Sequence, residues 1–168
     1  MMGLVDTNVE KTAEKINIRG QLRTREPMSA HTSFGIGGPA DLFAVPDDTE
    51  DLVALLRFAD EQQLPRFILG GGANILVSDA GIRGLVIHMG SLARIRAEDE
   101  RLIVGAGAAI SDASEEAAAA GLSGLEFIYR MPGSTGGALW MNARCYGSSI
   151  ADVTERVDYL DHSYRPAS

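Results

Sequence analysis

The amino-acid sequence predicts an α+β fold in two small pieces that divide near Gly90. Three observations carry this expectation. A strand pattern, an amphipathic helix pattern and a second strand pattern follow one another before residue 70. From Ser91 the texture changes to short strands interleaved with helices. No fixed-period repeat is present, and 168 residues suit one domain or two small subdomains sharing a cleft.

Residues 1–26 mix charges with few apolar side chains and read as a leading helix or arm. Residues 27–90 then form a first subdomain and residues 91–168 a second. Leu42-Phe43-Ala44-Val45, closed by Pro46, reads as a strand. Asp47 and Glu50 fit the D-x-x-E pattern of a helix start, and Leu52, Leu55, Leu56 and Ala59 recur on one helical face. Leu64-Pro65 ends that helix. Phe67-Ile68-Leu69 reads as a short buried strand running into Gly70-Gly71-Gly72, and the segment from Ile68 to Val77 as strand, glycine turn, strand. Leu85-Val86-Ile87 is another buried strand. In the second piece, Leu92–Ile95 and Leu102–Val104 read as strands. A helix starts near Ser111 or Asp112, carries Glu115 and Glu116 on a solvated face, and stops at Gly121. Leu125–Tyr129 is strand-like, Arg130–Gly137 is a loop opening a short helix through Leu139-Trp140-Met141, and Val153, Val157 and Tyr159 fit a last alternating strand.

Composition narrows the chemistry. Cys145 is the single cysteine, so an intrachain disulfide and a CxxC motif are impossible. His31, His88 and His162 are too far apart for an HExxH-type metal motif, and no metal site is expected. Lysine occurs only at Lys11 and Lys15, so neither a P-loop lysine nor a Schiff-base lysine is available in the globular part. A net charge of -8 argues against a nucleic-acid partner. No apolar run of about 18 residues exists for a membrane span, and residues 1–26 lack a signal-peptide hydrophobic region; with the lone thiol, this points to the cytoplasm.

Glycine is the abundant residue, with 19 in the chain. Where Leu69-Gly70-Gly71-Gly72-Ala73-Asn74-Ile75 turns sharply, glycine permits positive φ and close approach of another group, and successive backbone N–H groups form an anion-binding nest that needs no lysine. A plain tight turn is the alternative. Met131-Pro132-Gly133-Ser134-Thr135-Gly136-Gly137 enters a helix, where terminal N–H groups and the helix dipole add to such a nest; a capped turn is the alternative there. Two such clusters favour a bound diphosphate. Gly35-Ile36-Gly37-Gly38-Pro39-Ala40 matches G-x-G-x-x-G/A, but a strand follows it instead of a helix, so a Rossmann site is rejected.

Together these stretches resemble the UDP-N-acetylenolpyruvoylglucosamine reductase (MurB) family. The resemblance runs through His31–Asp41, Leu69–Ile87, Val104–Asp112, Gly121–Phe127 and Met131–Gly147, in matching order and spacing, over roughly residues 25–160. It implies a p-cresol methylhydroxylase-type fold with FAD between two α+β subdomains. It implies that the backbone of Gly70, Gly71, Gly72, Ala73 and Asn74 cradles the pyrophosphate, that Pro132–Gly137 line the flavin, that Leu69, Ile75, Gly107, Arg130 and Met131 also belong to the cofactor site, and that Asn142 and Tyr146 lie near the ring or substrate. NADPH is the implied hydride donor. The implied reaction reduces the enolpyruvyl group of a UDP-sugar, UDP-N-acetylglucosamine enolpyruvate, to UDP-N-acetylmuramate in peptidoglycan precursor synthesis.

The resemblance also implies a serine or cysteine proton donor, a glutamate and a tyrosine-arginine pair in a later substrate domain, which this chain is expected to lack. Tyr164-Arg165 lacks the surrounding pattern, so no catalytic role passes to Arg165. Arg130 stands where a small residue is commoner in the family; it reads either as a cation near the cofactor or as a surface arginine at a strand end. Arg144-Cys145 also departs from the family pattern, with Cys145 read as a small residue packed under the loop. Trp140 and Met141 read as core, His31 as a loop or capping residue, His88 as a satisfied strand-end histidine, and Asp47-Asp48 as helix caps. A flavin-binding module without catalysis of its own, or another oxidoreductase of the same fold, are the alternatives.

Overall fold

The computed structural model describes residues 6–168 of the chain. Two units are distinguished, one running to Leu92 and one from Ala93 to Ser168.

The first unit opens with α1 (Asp6–Ala13), which buries Val9 and Thr12. The stretch expected as an arm then ends in a strand: β1 (Gln21–Pro27) pairs antiparallel with β2 (Pro39–Val45), Gln21 facing Val45 and Pro27 facing Pro39. β1 lies at a sheet edge, so most of its side chains face solvent and the apolar alternation that marks a strand is missing. β2 is buried along most of its length. Next comes α2 (Thr49–Glu61), capped by Asp48, whose side chain accepts from the N–H groups of Glu50 and Asp51; the cap is one residue later than the D-x-x-E pattern suggested. Its buried face is Leu52, Leu55, Leu56 and Ala59, the set that the helical spacing picked out. Each such aliphatic side chain contributes roughly 1.5–3 kcal/mol on burial.

β3 (Arg66–Leu69) and β4 (Ile82–His88) complete a mixed sheet of order β1-β2-β4-β3, with β4 parallel to both β2 and β3. β3 is therefore an edge strand. Leu69 is buried, but Ile68 is 50% exposed and Phe67 is exposed as well, against the expectation of a buried strand. The segment after the three glycines, Ile75–Val77, forms no strand. Its apolar side chains serve the core directly: Val77 is buried with Met28, Ala40, Phe43, Leu69 and Val86, and Ile75 packs against them.

A bulge in β4 shapes this sheet. The pairing with β2 shifts register between Ala40/Ile82 and Leu42/Leu85. Gly84 occupies the extra position at φ +100, and a Cβ there would lie 2.1 Å from the Pro65 carbonyl oxygen. The Gly84 N–H donates to buried Asp41 Oδ2 at 3.0 Å, and Asp41 Oδ1 pairs with Arg83 Nη1 at 2.7 Å.

In the second unit β5 (Ile95–Glu98) and β6 (Arg101–Val104) form an antiparallel hairpin, so the first strand starts three residues later than read. α3 (Ile110–Ala119) buries Ile110, Ala113, Ser114 and Ala117 on one stripe and exposes Glu115 and Glu116. The strand expected over Leu125–Tyr129 is instead a 3-10 turn, Glu126–Ile128, which drops Phe127 and Ile128 into the core with Ile110, Ala138 and Ile150. α4 (Thr135–Met141) is followed by a small hairpin, β7 (Arg144–Cys145) and β8 (Ser148–Ser149), then α5 (Ile150–Val153) and a last hairpin, β9 (Tyr159–Leu160) with β10 (Pro166–Ala167). Val153 is thus helical and Val157 lies in no element, so the long final strand is replaced by a two-residue one. Among the described residues no helix is long and apolar enough to cross a membrane.

Candidate functional site

In the first unit the loop after β3 holds the first group of expected site residues. Leu69 is buried at the strand end, Gly70 is half-buried, Gly71 and Asn74 are exposed, Gly72 is buried, and Ala73 and Ile75 are half-buried. Of the three glycines only Gly72 has a positive φ, +64. A Cβ there would sit 1.9 Å from the His31 carbonyl oxygen, so no other L-residue fits without displacing main chain. The Gly72 carbonyl accepts from the Ser33 N–H at 3.0 Å. Sequence alone gives His31 only a loop or capping role and does not single out Ser33, because both contribute backbone atoms here.

The same loop leaves donors unspent. Among the described residues none accepts a hydrogen bond from the backbone N–H of Gly71, Gly72, Ala73 or Asn74. A buried donor such as that of Gly72 is costly without an acceptor. Four successive amides without a protein acceptor, in a turn with one left-handed residue, have the make-up of a backbone nest, the arrangement that takes an anion without a lysine.

The turn before α4 behaves differently, and here the expectation of free helix-terminal amides is corrected. The Thr135 N–H donates to Ala108 O at 2.8 Å, Gly136 N–H to Ala106 O at 2.8 Å, and Gly137 N–H to the Ser134 hydroxyl at 3.3 Å. The first two stitch the α4 start to the turn that contains Gly107, beside an isolated bridge between Ala109 and Ser134. They are not available to a phosphate. Close packing explains Gly136, where a Cβ would meet Ala106 Cβ and Ala106 O at 3.0 Å. The Thr135 hydroxyl donates to Ala108 O at 3.2 Å, and both Ser134 and Thr135 are buried. Pro132 is exposed, while Gly133, at φ +112, and Met131 are half-buried, with Met131 packed on the core.

Arg130 is exposed at φ +58, its guanidinium carbon 5.3 Å from the centre of the Tyr129 ring, a cation–π contact; no strand ends there. Trp140 is 88% exposed and Met141 56% exposed, which overturns their reading as core; α4 buries Thr135 and Ala138 instead. Asn142 ends α4 in the left-handed conformation, and its Oδ1 accepts from Ala151 N–H at 3.2 Å. Tyr146 and Gly147 (φ +50 and +86) make the two-residue turn between β7 and β8, so the Tyr146 ring is carried outward, 91% exposed. It borders a concavity of about 480 Å³ with Glu126, Phe127, Asp152 and Val153. Cys145 is half-buried against the core cluster around Ile128. Arg165 pairs with Asp161 at 3.2 Å in the β9–β10 turn.

A family profile described as FAD binding domain matches residues 40–163. The chain belongs to that family, with the α+β fold of the p-cresol methylhydroxylase type. It is 46% identical over 150 residues to a UDP-N-acetylenolpyruvoylglucosamine reductase of Heliobacterium modesticaldum, covering 89% of this chain and 48% of that protein. For the enzyme of the same name from Caldanaerobacter subterraneus subsp. tengcongensis the figures are 44% over 155 residues, 92% and 51%. The crystal structure of the Thermus caldophilus reductase (MurB) superposes with a TM-score of 0.70 at 31% identity, over 90% of this chain and 53% of that one. Within the FAD-binding family, the chain is thus an N-terminal FAD-binding portion of the UDP-N-acetylenolpyruvoylglucosamine reductase family, and it spans about half the length of the curated relatives it matches.

Proposed function

We propose that this chain binds FAD and holds its diphosphate on the backbone amides of the loop after β3. The observation that carries this reading is the run of four N–H groups, Gly71 to Asn74, without a protein acceptor, in a loop whose left-handed Gly72 admits no side chain. FAD suits a site of this kind because two phosphates can take several amides without a lysine. Leu69, Gly70 and Ile75 frame that loop. Gly107, Arg130–Gly137, Asn142 and Tyr146 are proposed to line the flavin. In this reading the α4 start contributes shape, the amides of Thr135, Gly136 and Gly137 being already bonded to Ala108, Ala106 and Ser134, while those of Gly133 and Ser134 have no acceptor among the described residues.

A bound flavin would supply hydride chemistry, carrying a hydride from NADPH to the enolpyruvyl group of UDP-N-acetylglucosamine enolpyruvate, with a proton completing the reduction, in the reaction that the family resemblance implies for peptidoglycan precursor synthesis. We propose that activity for the whole cytoplasmic protein to which such a domain contributes. A second reading is a flavin-binding module without turnover of its own. One observation favours it for this chain: at the α4 start the Thr135 hydroxyl spends its proton on Ala108 O, and the Ser134 hydroxyl is buried, accepting from the Gly137 N–H.

Titrating FAD into the purified chain and following the flavin band at roughly 450 nm tests the common part. Saturable uptake of one equivalent is expected; a protein that takes up none overturns it. Adding NADPH with the enolpyruvyl UDP-sugar then separates the readings, since steady NADPH consumption supports full turnover and its absence supports the module.

A further inference from the structure

The loop of free amides is not held by its own sequence. Gly72 rests against the main chain of His31, and its carbonyl is fixed by the Ser33 N–H. The position of His31 is set by its ring. His31 Nε2 lies 2.8 Å from Glu26 Oε1, and the imidazole stacks on the buried Phe43 ring at 4.3 Å between centres and an interplanar angle of 26°. Phe43 in turn stacks on His88 at 5.7 Å. Glu26 belongs to β1, Phe43 to β2 and His88 to β4, so the ring is anchored to three strands of the sheet. Further along the chain Thr32 Oγ1 donates to Ile36 O and Gly38 N–H donates to Ser78 O, tying the residues after His31 to the far end of the loop that begins at Gly70.

From this geometry we infer that His31 is a positioning residue for the diphosphate: its hydrogen bond to Glu26 fixes the main chain against which Gly72, and with it the amide array, is seated. The inference rests on the proposed FAD reading and adds the residue that presets the site. It also gives the G-I-G-G turn, Gly35–Gly38, a task in bracing the phosphate loop.

The charge balance is consistent with a standing pair. The Glu26 carboxyl is held below the ordinary carboxylate range by the hydrogen bond with His31, against the effect of burial and with help from Arg23. His88 is pushed down by burial, then by His31 and Arg23.

Two variants separate positioning from packing. His31→Phe keeps the stack on Phe43 and removes the hydrogen bond; His31→Gln keeps a side-chain N–H donor for Glu26. FAD affinity is measured by titration, ADP affinity by displacement of FAD, and the ligand-free melting temperature by circular dichroism. The expected result is that His31→Phe binds both FAD and ADP about tenfold more weakly, the loss expected for one well-aligned phosphate contact, with a melting temperature near that of the wild type, and that His31→Gln recovers most of the affinity. Should His31→Phe not fold, Glu26→Ala removes the same bond from the other side and carries the same expectation. Unchanged FAD and ADP affinity in a folded variant overturns the inference, as does a loss for FAD with none for ADP, or a His31→Gln as weak as His31→Phe. A wild-type chain that binds no FAD is a different outcome, because it overturns the function on which the inference stands.

Discussion

Gly72→Ala is the perturbation with the sharpest consequence. At φ +64 an alanine incurs about 1–2 kcal/mol for the left-handed conformation alone. Its Cβ would start 1.9 Å from the His31 carbonyl oxygen, a main-chain atom that cannot rotate away, so the loop must retreat by about 1 Å. That retreat breaks the Ser33–Gly72 hydrogen bond, worth about 1 kcal/mol net. A ligand-free destabilisation of roughly 2–3 kcal/mol follows, or less if the loop swings free and relaxes. A loop that has moved no longer aims its amides together. Losing two charge-assisted contacts of about 1.5 kcal/mol each lowers FAD affinity roughly a hundredfold. Urea unfolding gives the first quantity and calorimetric titration with FAD the second. Gly71→Ala is the comparison: Gly71 is exposed and has no positive φ, so its ligand-free stability should stay within about 0.5 kcal/mol of wild type. A folded Gly72→Ala protein with wild-type stability and wild-type FAD affinity would refute the reasoning.

Three further outcomes are expected. Gly84→Ala places a Cβ 2.1 Å from Pro65 O at φ +100 and disturbs the Asp41 contact in the sheet interior, so it should destabilise by about 3 kcal/mol or more by urea unfolding. Burial alone would raise the Asp51 carboxyl, but N–H donors from Asp47, Arg19 and Gly20 and the Arg19 charge outweigh it and hold it below the ordinary carboxylate range. Its stabilisation is therefore complete above about pH 4 and fades as pH falls through the depressed folded value; Asp51→Asn should lower stability at pH 7 and flatten the acid limb of a stability-versus-pH curve. Tyr146→Gly removes a left-handed tyrosine from the β7–β8 turn and should raise stability by up to about 1 kcal/mol, or 2–4 °C in melting temperature.

What could be read from sequence was whatever is written in local periodicity. The α2 stripe of Leu52, Leu55, Leu56 and Ala59 and the apolar run at Leu85–Ile87 both face the core as their spacing required. The glycine loops were visible as loops. The fate of particular amides was not, because it depends on acceptors brought in from elsewhere: Ala108 and Ala106 take the amides of Thr135 and Gly136 in the first turn of α4, while Gly71–Asn74 find no such partner. β1 was hidden by its edge position, which lets it be polar. Phe67 and Ile68 looked buried for the converse reason, since an edge strand exposes apolar residues that a central one would cover. Trp140 and Met141 followed a helical pattern whose buried side, at Thr135 and Ala138, is too small in volume to be recognised by hydrophobicity. Leu125–Tyr129 has strand-like composition but closes a 3-10 turn, with the Leu125 carbonyl accepting from Ser114 Oγ and from the Ile128 N–H.

The central claim concerns particular amides, and amide-resolved hydrogen exchange by NMR reads them directly. Without ligand, Thr135, Gly136 and Gly137 should already be protected by their bonds to Ala108, Ala106 and Ser134, while Gly71–Asn74 exchange readily. Saturation with FAD should protect Gly71–Asn74 and shift their resonances, with little change at Thr135 and Gly136. Amides at Gly71–Asn74 that exchange as fast in the saturated complex as in the free protein would contradict the account.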